Sequence, residues 1–264
     1  MIDVGLGYPG AQEYLDAQLE VVDHLGTLHE QIARLDPAPP TSELVRLAEA
    51  FPVAPINFAL STRAALAATR GALDQISPIM KGQLASSRIV LHALLRVALI
   101  GAGRVVFTLG PDDPEVRLQN VKIVLAQESR SMAQALDAFA EFGSHGLKPD
   151  EAYVAEHRRL DRLIREGTPR LGEGSVLLSM ADVIGRALAA EGKPDVGDDP
   201  KLLAEQVTWT WHTYSGLAHG FAWPWLLPGT TADRTMPGDY VADLGIVVAT
   251  AHIAFQKTLE RLGA

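Results

Sequence analysis

The chain has 264 residues, 47% of them apolar and 21% charged, a balance that supports a packed core and excludes a disordered polyelectrolyte. Its net charge of −9, with a pI near 5.3, sets the whole-molecule field against phosphate backbones, so any nucleic-acid contact has to be local. There is no cysteine, which removes disulfides, thiol nucleophiles and cysteine-ligated zinc together.

The hydrophobic period is helical throughout and predicts an all-α bundle of about eight or nine helices with no significant sheet. The opening MIDVGLGYPGAQEYLD has neither the basic start nor the apolar run of a signal peptide, so a cytoplasmic location is expected. A first helix over 11–35 carries Leu15, Leu19, Val22, Leu25, Ile32 and Leu35 on one stripe, and DPAPP at 36–40 stops it. A short helix capped by Thr41 or Ser42 follows. The next spans 58–76 and leads through Ser77 and Pro78 into a long apolar helix ending near 109. That apolar run contains His92, Arg96 and Arg104, whose charges oppose a transmembrane reading and favour a core helix. After GPDDP, a helix over 114–142 has a seam of Leu118, Val121, Leu125, Met132, Ala135, Phe139 and Phe142, with Glu128 on it. A charged helix at 150–166, an apolar one at 175–190, an aromatic one at 200–225 and a last one at 239–262 complete the series. One domain over 1–264 is expected, with a subdivision near 145–150 as the alternative.

The best candidate site is WTWHTYSGLAHGF at 209–221. Glu205, Thr208, His212, Ser215 and His219 recur every three or four residues and share one helix face, with Val207, Tyr214, Leu217 and Phe221 roughly opposite. Trp209, Trp211 and Trp223 flank the row, while Gly216, Ala218 and Gly220 permit close approach. A solvent face is the competing reading. Metal binding by the two histidines is disfavoured, because seven residues of helix separate their backbones by about 10.5 Å. No metal or cofactor is expected.

Arg88, His92 and Arg96 follow one another every four residues, with Arg104 beyond, inside the aliphatic helix. Burial of such guanidinium groups requires a carboxylate, and Glu128 is the natural partner for Arg96 or Arg104 as a structural ion pair. HRRLDRLIREGTPR at 157–170 is the one locally basic stretch. Its Glu and Asp residues favour a solvated face with local pairs over a phosphate or RNA surface. The acid pairs Asp112/Asp113 and Asp198/Asp199 are followed by proline and lack the third acid of a diphosphate-binding motif.

LLRVALIGAGRVVFTLGPDDPEVR at 94–117 and YSGLAHG at 214–220 resemble a group of mostly actinobacterial all-helical proteins with no assigned activity. More distantly, the layout resembles the HEPN superfamily of helical bundles. Its nuclease members use an arginine followed, after four to six residues, by a histidine at an RNA-cleaving dimer interface; here positions 212–214 before His219 are His, Thr and Tyr, so the arginine is missing and His212 stands where its outermost spacing would put it. The resemblance implies a degenerate Arg/His site acting on RNA or nucleotides in a homodimer. His219, as base, and Arg96, as phosphate stabiliser, head the catalytic candidates, with His212 and Glu128 beside them. Ser215, Trp209, Trp211, Tyr214, His92 and Arg104 are the ligand-binding candidates. Two other readings compete: a small-molecule enzyme or binding protein with an apolar pocket walled by Trp209, Trp211 and Trp223, and a noncatalytic dimeric scaffold.

Overall fold

The structure, a computed structural model, describes residues 10–35, 42–50, 52–140, 150–190, 199–218 and 237–262. These form nine α-helices and no strand: α1 (Ala11–Ala33), α2 (Ser42–Ala50), α3 (Ala54–Met80), α4 (Arg88–Leu109), α5 (Pro114–Ala140), α6 (Glu151–Arg165), α7 (Glu173–Ala190), α8 (Pro200–Ala218) and α9 (Val241–Leu262), the last preceded by a 3-10 turn at Pro237–Tyr240. The all-helical bundle expected from the hydrophobic period is the architecture found.

The α1 stripe is buried as its spacing requires, with Leu28 joining Leu15, Leu19, Val22, Leu25 and Ile32. The third helix differs from expectation at both ends. It starts four residues early, because Pro55 lies in the first turn, where a missing N–H has no helical partner to lose. It also runs through Pro78 to Met80, since a proline so near the C-terminus forfeits one ladder bond only. Gly82, at φ 65°, then ends it, and α4 begins separately at Arg88 behind Ser87, whose hydroxyl accepts from the Val90 amide at 3.4 Å.

The helix α4 is the hub. It packs against α3, α5, α7, α8 and α9, and α1 lies on the outer side of α9 and α3. Contact with α3 is close enough that a Cβ on Gly101 would stand 2.4 Å from Thr69 Oγ1 and 2.6 Å from the Ala65 carbonyl oxygen. Thr69 returns a hydrogen bond across the same crossing to the Ala98 carbonyl at 3.3 Å. Buried side chains from all nine helices merge into one apolar cluster. Arg88–Leu109 and Gly238–Leu262 are long and apolar enough to cross a membrane by length and composition, with mean hydropathies of 1.9 and 1.2, but 56% and 83% of those windows are buried inside the bundle. On the periphery, α5 and α6 pair as a hairpin. The stretch 141–149 between them, which includes most of the 145–150 boundary and Phe142, lies outside the described residues.

Candidate functional site

Three separate places receive the polar residues that the sequence singles out. The first is a buried layer where α4, α8 and the start of α9 meet. His92 is fully buried, its ring stacked on Tyr214 with centroids 5.2 Å apart and its Nε2 2.9 Å from the Tyr240 hydroxyl. Tyr214 donates to the buried carboxylate of Asp243 at 2.5 Å, and Thr210 approaches the other carboxylate oxygen at 3.5 Å. One helical turn beyond His92, the Arg96 guanidinium lies over the Trp211 ring at 5.3 Å. That ring is itself covered: a Cβ on Gly174 at the start of α7 would stand 2.8 Å from it. His92, Trp211, Tyr214, Tyr240 and Asp243 are all buried. Tyr240, Asp243 and Thr210 were missed by sequence reasoning; the readable signal was Asp243, a lone acid at the head of the apolar run that forms α9.

The second place is the outer face of α8. Glu205 and His212 are exposed, Thr208 and Ser215 half-buried, and Trp209 is 42% exposed, while Val207, Thr210, Trp211, Tyr214 and Leu217 point inward. Within the described residues the polar row therefore faces solvent. His219, Gly220, Phe221 and Trp223 lie outside them.

The third place is the junction of α4 and α5, where Arg104 and Glu128 form the inter-helix ion pair at 2.5 Å and Ser61 of α3 donates to the same carboxylate oxygen at 3.2 Å. Arg96 sits about 12 Å back along α4 from Arg104 and is engaged with Trp211 instead. His212, Arg96 and Glu128 thus occupy three different surroundings. His92 and Tyr214 do meet, as core residues.

A concentration of charge appears elsewhere, on the α5–α6 hairpin. A cleft of about 650 Å³ is lined by Arg130 of α5, by Arg158, Arg162 and Arg165 of α6 and by Arg170 just beyond it, with Asp137 and Asp161 as the acids. A second cleft, of about 300 Å³, shares Arg130 and Arg170 and adds Arg104, Glu128 and Leu171. In the larger cleft five arginines face two aspartates, which leaves three positive charges on a protein of net charge −9. Asp137 pairs with Arg158 at 2.5 Å and Asp161 with Arg165 at 2.9 Å. Arg130, Arg162 and Arg170 have no carboxylate within 4.0 Å among the described residues.

Two of the three acids that dilute this patch in the sequence, Glu156 and Asp161, are occupied in the structure, while Glu166 is exposed and does not line the cleft. Glu156 turns to Arg159, whose hydrogen bond holds its carboxyl below the usual carboxylate range, and Asp161 is buried, accepting from Ser129 at 3.0 Å. The Asp-Pro turns are helix caps: Asp113 accepts from the Glu115 amide at 2.8 Å and Asp199 from the Lys201 amide at 2.9 Å. Among the described residues no group of three or more His, Asp or Glu side chains is placed to hold a metal ion. No protein-family model matches the chain, and no curated protein or solved structure is significantly similar to it.

Proposed function

We propose that this protein binds a compact phosphorylated ligand, of nucleotide size, in the arginine-lined cleft of the α5–α6 hairpin. The observation that carries the reading is the trio Arg130, Arg162 and Arg170, three guanidinium groups without carboxylate partners converging from two helices and a loop. A planar guanidinium presents paired N–H donors that match phosphate oxygens two at a time, so three of them suit a di- or triphosphate. Cleft volume supports a small ligand, since such sites run from about 300 to 1,000 Å³ and this one measures about 650 Å³. The net charge of −9 opposes a long polyanion reaching beyond the patch. Neither cleft is lined by an aromatic ring, which favours recognition of phosphate over stacking of a base. This keeps the nucleotide reading of the sequence and moves its location away from the α8 histidines.

The test is calorimetric titration of the full chain with ATP, inorganic triphosphate and a 20-nucleotide single-stranded RNA, repeated on an Arg130→Gln/Arg162→Gln/Arg170→Gln variant of unchanged thermal stability. ATP and triphosphate are expected to bind similarly, and the variant to lose at least about tenfold, the equivalent of one strong charge-assisted hydrogen bond. Absence of ATP and triphosphate binding to the native chain, or equal binding by the variant, would refute the reading. Binding of RNA far tighter than ATP through the same arginines would refute its compact-ligand half.

A further inference from the structure

On the opposite flank of the hairpin a third cleft, of about 390 Å³, opens between α3, α5 and α6. From this cleft we infer a second binding site, independent of the arginine one, for a small amine that carries an apolar body.

Its walls have unsatisfied apolar surface. Leu60 of α3 is 57% exposed, Met132 of α5 38% and Tyr153 of α6 52%, and these three solvent-facing side chains from three helices line the same hollow, floored by Leu125 and Leu160. A ligand body lying there covers all of them at once. Neither Lys nor Arg is among its lining residues, and its ionic group is Glu128, which is paired with Arg104 through Oε1 alone. Both donors to that carboxylate, Arg104 and Ser61, come to Oε1, and no described residue donates to Oε2.

His157 adds a second acceptor. Its Nε2 lies 3.2 Å from the Ser129 carbonyl oxygen, which can only accept, so that nitrogen carries the hydrogen and Nδ1 of the neutral ring is left as an acceptor. The ring of Tyr153, stacked on His157 at 6.5 Å with planes 24° apart, supplies an electron-rich face. A carboxylate oxygen, an imidazole acceptor and an aromatic face together select a hydrogen-bond-donating cation over an anion or a neutral acceptor. The field of a chain with net charge −9 draws cations toward the molecule in the same sense.

The probe is phenethylamine, with 2-phenylethanol as its neutral counterpart, titrated into full-length protein labelled at Met methyl and Tyr ring positions for NMR. A ligand of this size is expected to saturate with Kd on the order of 1 mM. The Met132 and Tyr153 signals should move, and the amine should bind at least about fivefold tighter than the alcohol. Glu128→Gln should abolish that preference and leave phenylethanol binding as it was. Leu60→Gln, at an exposed position that folding does not depend on, should weaken both ligands alike. No saturable shift at Met132 and Tyr153 by about 10 mM amine, or an amine preference that survives Glu128→Gln, would overturn the inference. Either result leaves the phosphate reading untouched, because the Arg130, Arg162 and Arg170 measurements do not involve this cleft.

Discussion

Replacing Tyr214 by Phe removes one oxygen atom and keeps the ring. The ring is the part that stacks on His92 at 5.2 Å and fills the space between α4 and α8, so packing is preserved. What disappears is the 2.5 Å hydrogen bond to Asp243, made where Tyr214 is 1% and Asp243 7% exposed. A net hydrogen bond to a charged group contributes about 1.5 to 3 kcal/mol. We therefore expect Tyr214→Phe to lose about 2 kcal/mol by urea titration and on the order of 4 to 8 °C in melting temperature, with an unchanged far-UV spectrum. If the layer is structural, triphosphate binding at the α5–α6 hairpin stays as in the native chain. A loss under about 0.5 kcal/mol would refute the argument, since it is below what a buried charge-assisted bond supplies. So would a variant of native stability that has lost ligand binding, for that would make Tyr214 part of the site.

Two glycine substitutions should act with opposite signs. Gly101→Ala drives a methyl to within 2.4 Å of Thr69 Oγ1 and 2.6 Å of a backbone oxygen, so α3 and α4 must part, at about 1 to 3 kcal/mol of stability by denaturant titration. Gly71→Ala in α3, exposed and with nothing within 4 Å of the added carbon, should raise stability by about 0.5 to 1 kcal/mol through helix propensity and chain entropy. Asp150→Ala deletes the cap that accepts from the Tyr153 amide at 3.0 Å; it should cost about 1 kcal/mol and speed hydrogen exchange in the first turn of α6. Glu115, hydrogen-bonded by Arg46 of α2, titrates below its ordinary value of 4.5. Its folded value is depressed, so the α2–α5 tether is present above that ordinary value and is lost as pH falls through the lowered one. Carboxyl chemical shifts should show Glu115 returning to the ordinary range in Arg46→Ala.

Helix number and order were legible because the signals are local. The apolar period, the DPAPP break at 36–40 and the GPDDP turn act within a few residues of themselves, and the stripes of α1 and of the first half of α5 are buried where their spacing puts them. The second half of α5 shows the limit. Met132 and Phe139 continue the seam but are 38% and 41% exposed, because the period says which residues share a face and nothing about how far a covering helix extends. The α8 row fails in a related way. Trp209 and Trp211 are two residues, hence about 200°, apart, so the aromatic cluster of the sequence divides into one ring facing water and one under Arg96 and Gly174. Grouping Glu205, His212 and Ser215 on one face was sound; which face looks inward depends on how α7 and the distant α4 pack against α8.

The arginine cleft was legible only in part, as the basic stretch 157–170, and for a different reason. Charges counted along 157–170 leave five arginines against Asp161 and Glu166, but interleaved acids read as local partners that dilute the surplus, and spacing in sequence is a poor guide when pairing is decided in space. Glu156 is three residues from Arg159 and is spent on it, on the far side from the cleft; Asp161 is drawn under α5 by Ser129 and takes Arg165. Each local pair withdraws an acid along with one arginine, so the arginines left over, Arg162 and Arg170, gain weight as their neighbours are neutralised. Arg130 then arrives from α5, more than thirty residues upstream of Arg162. The cleft thus adds Arg130 of α5 to a surplus that α6 and the loop after it already carry. It follows that separating α5 from α6 should weaken phosphate binding without removing a single arginine, a loss that charge counting along the chain does not foresee.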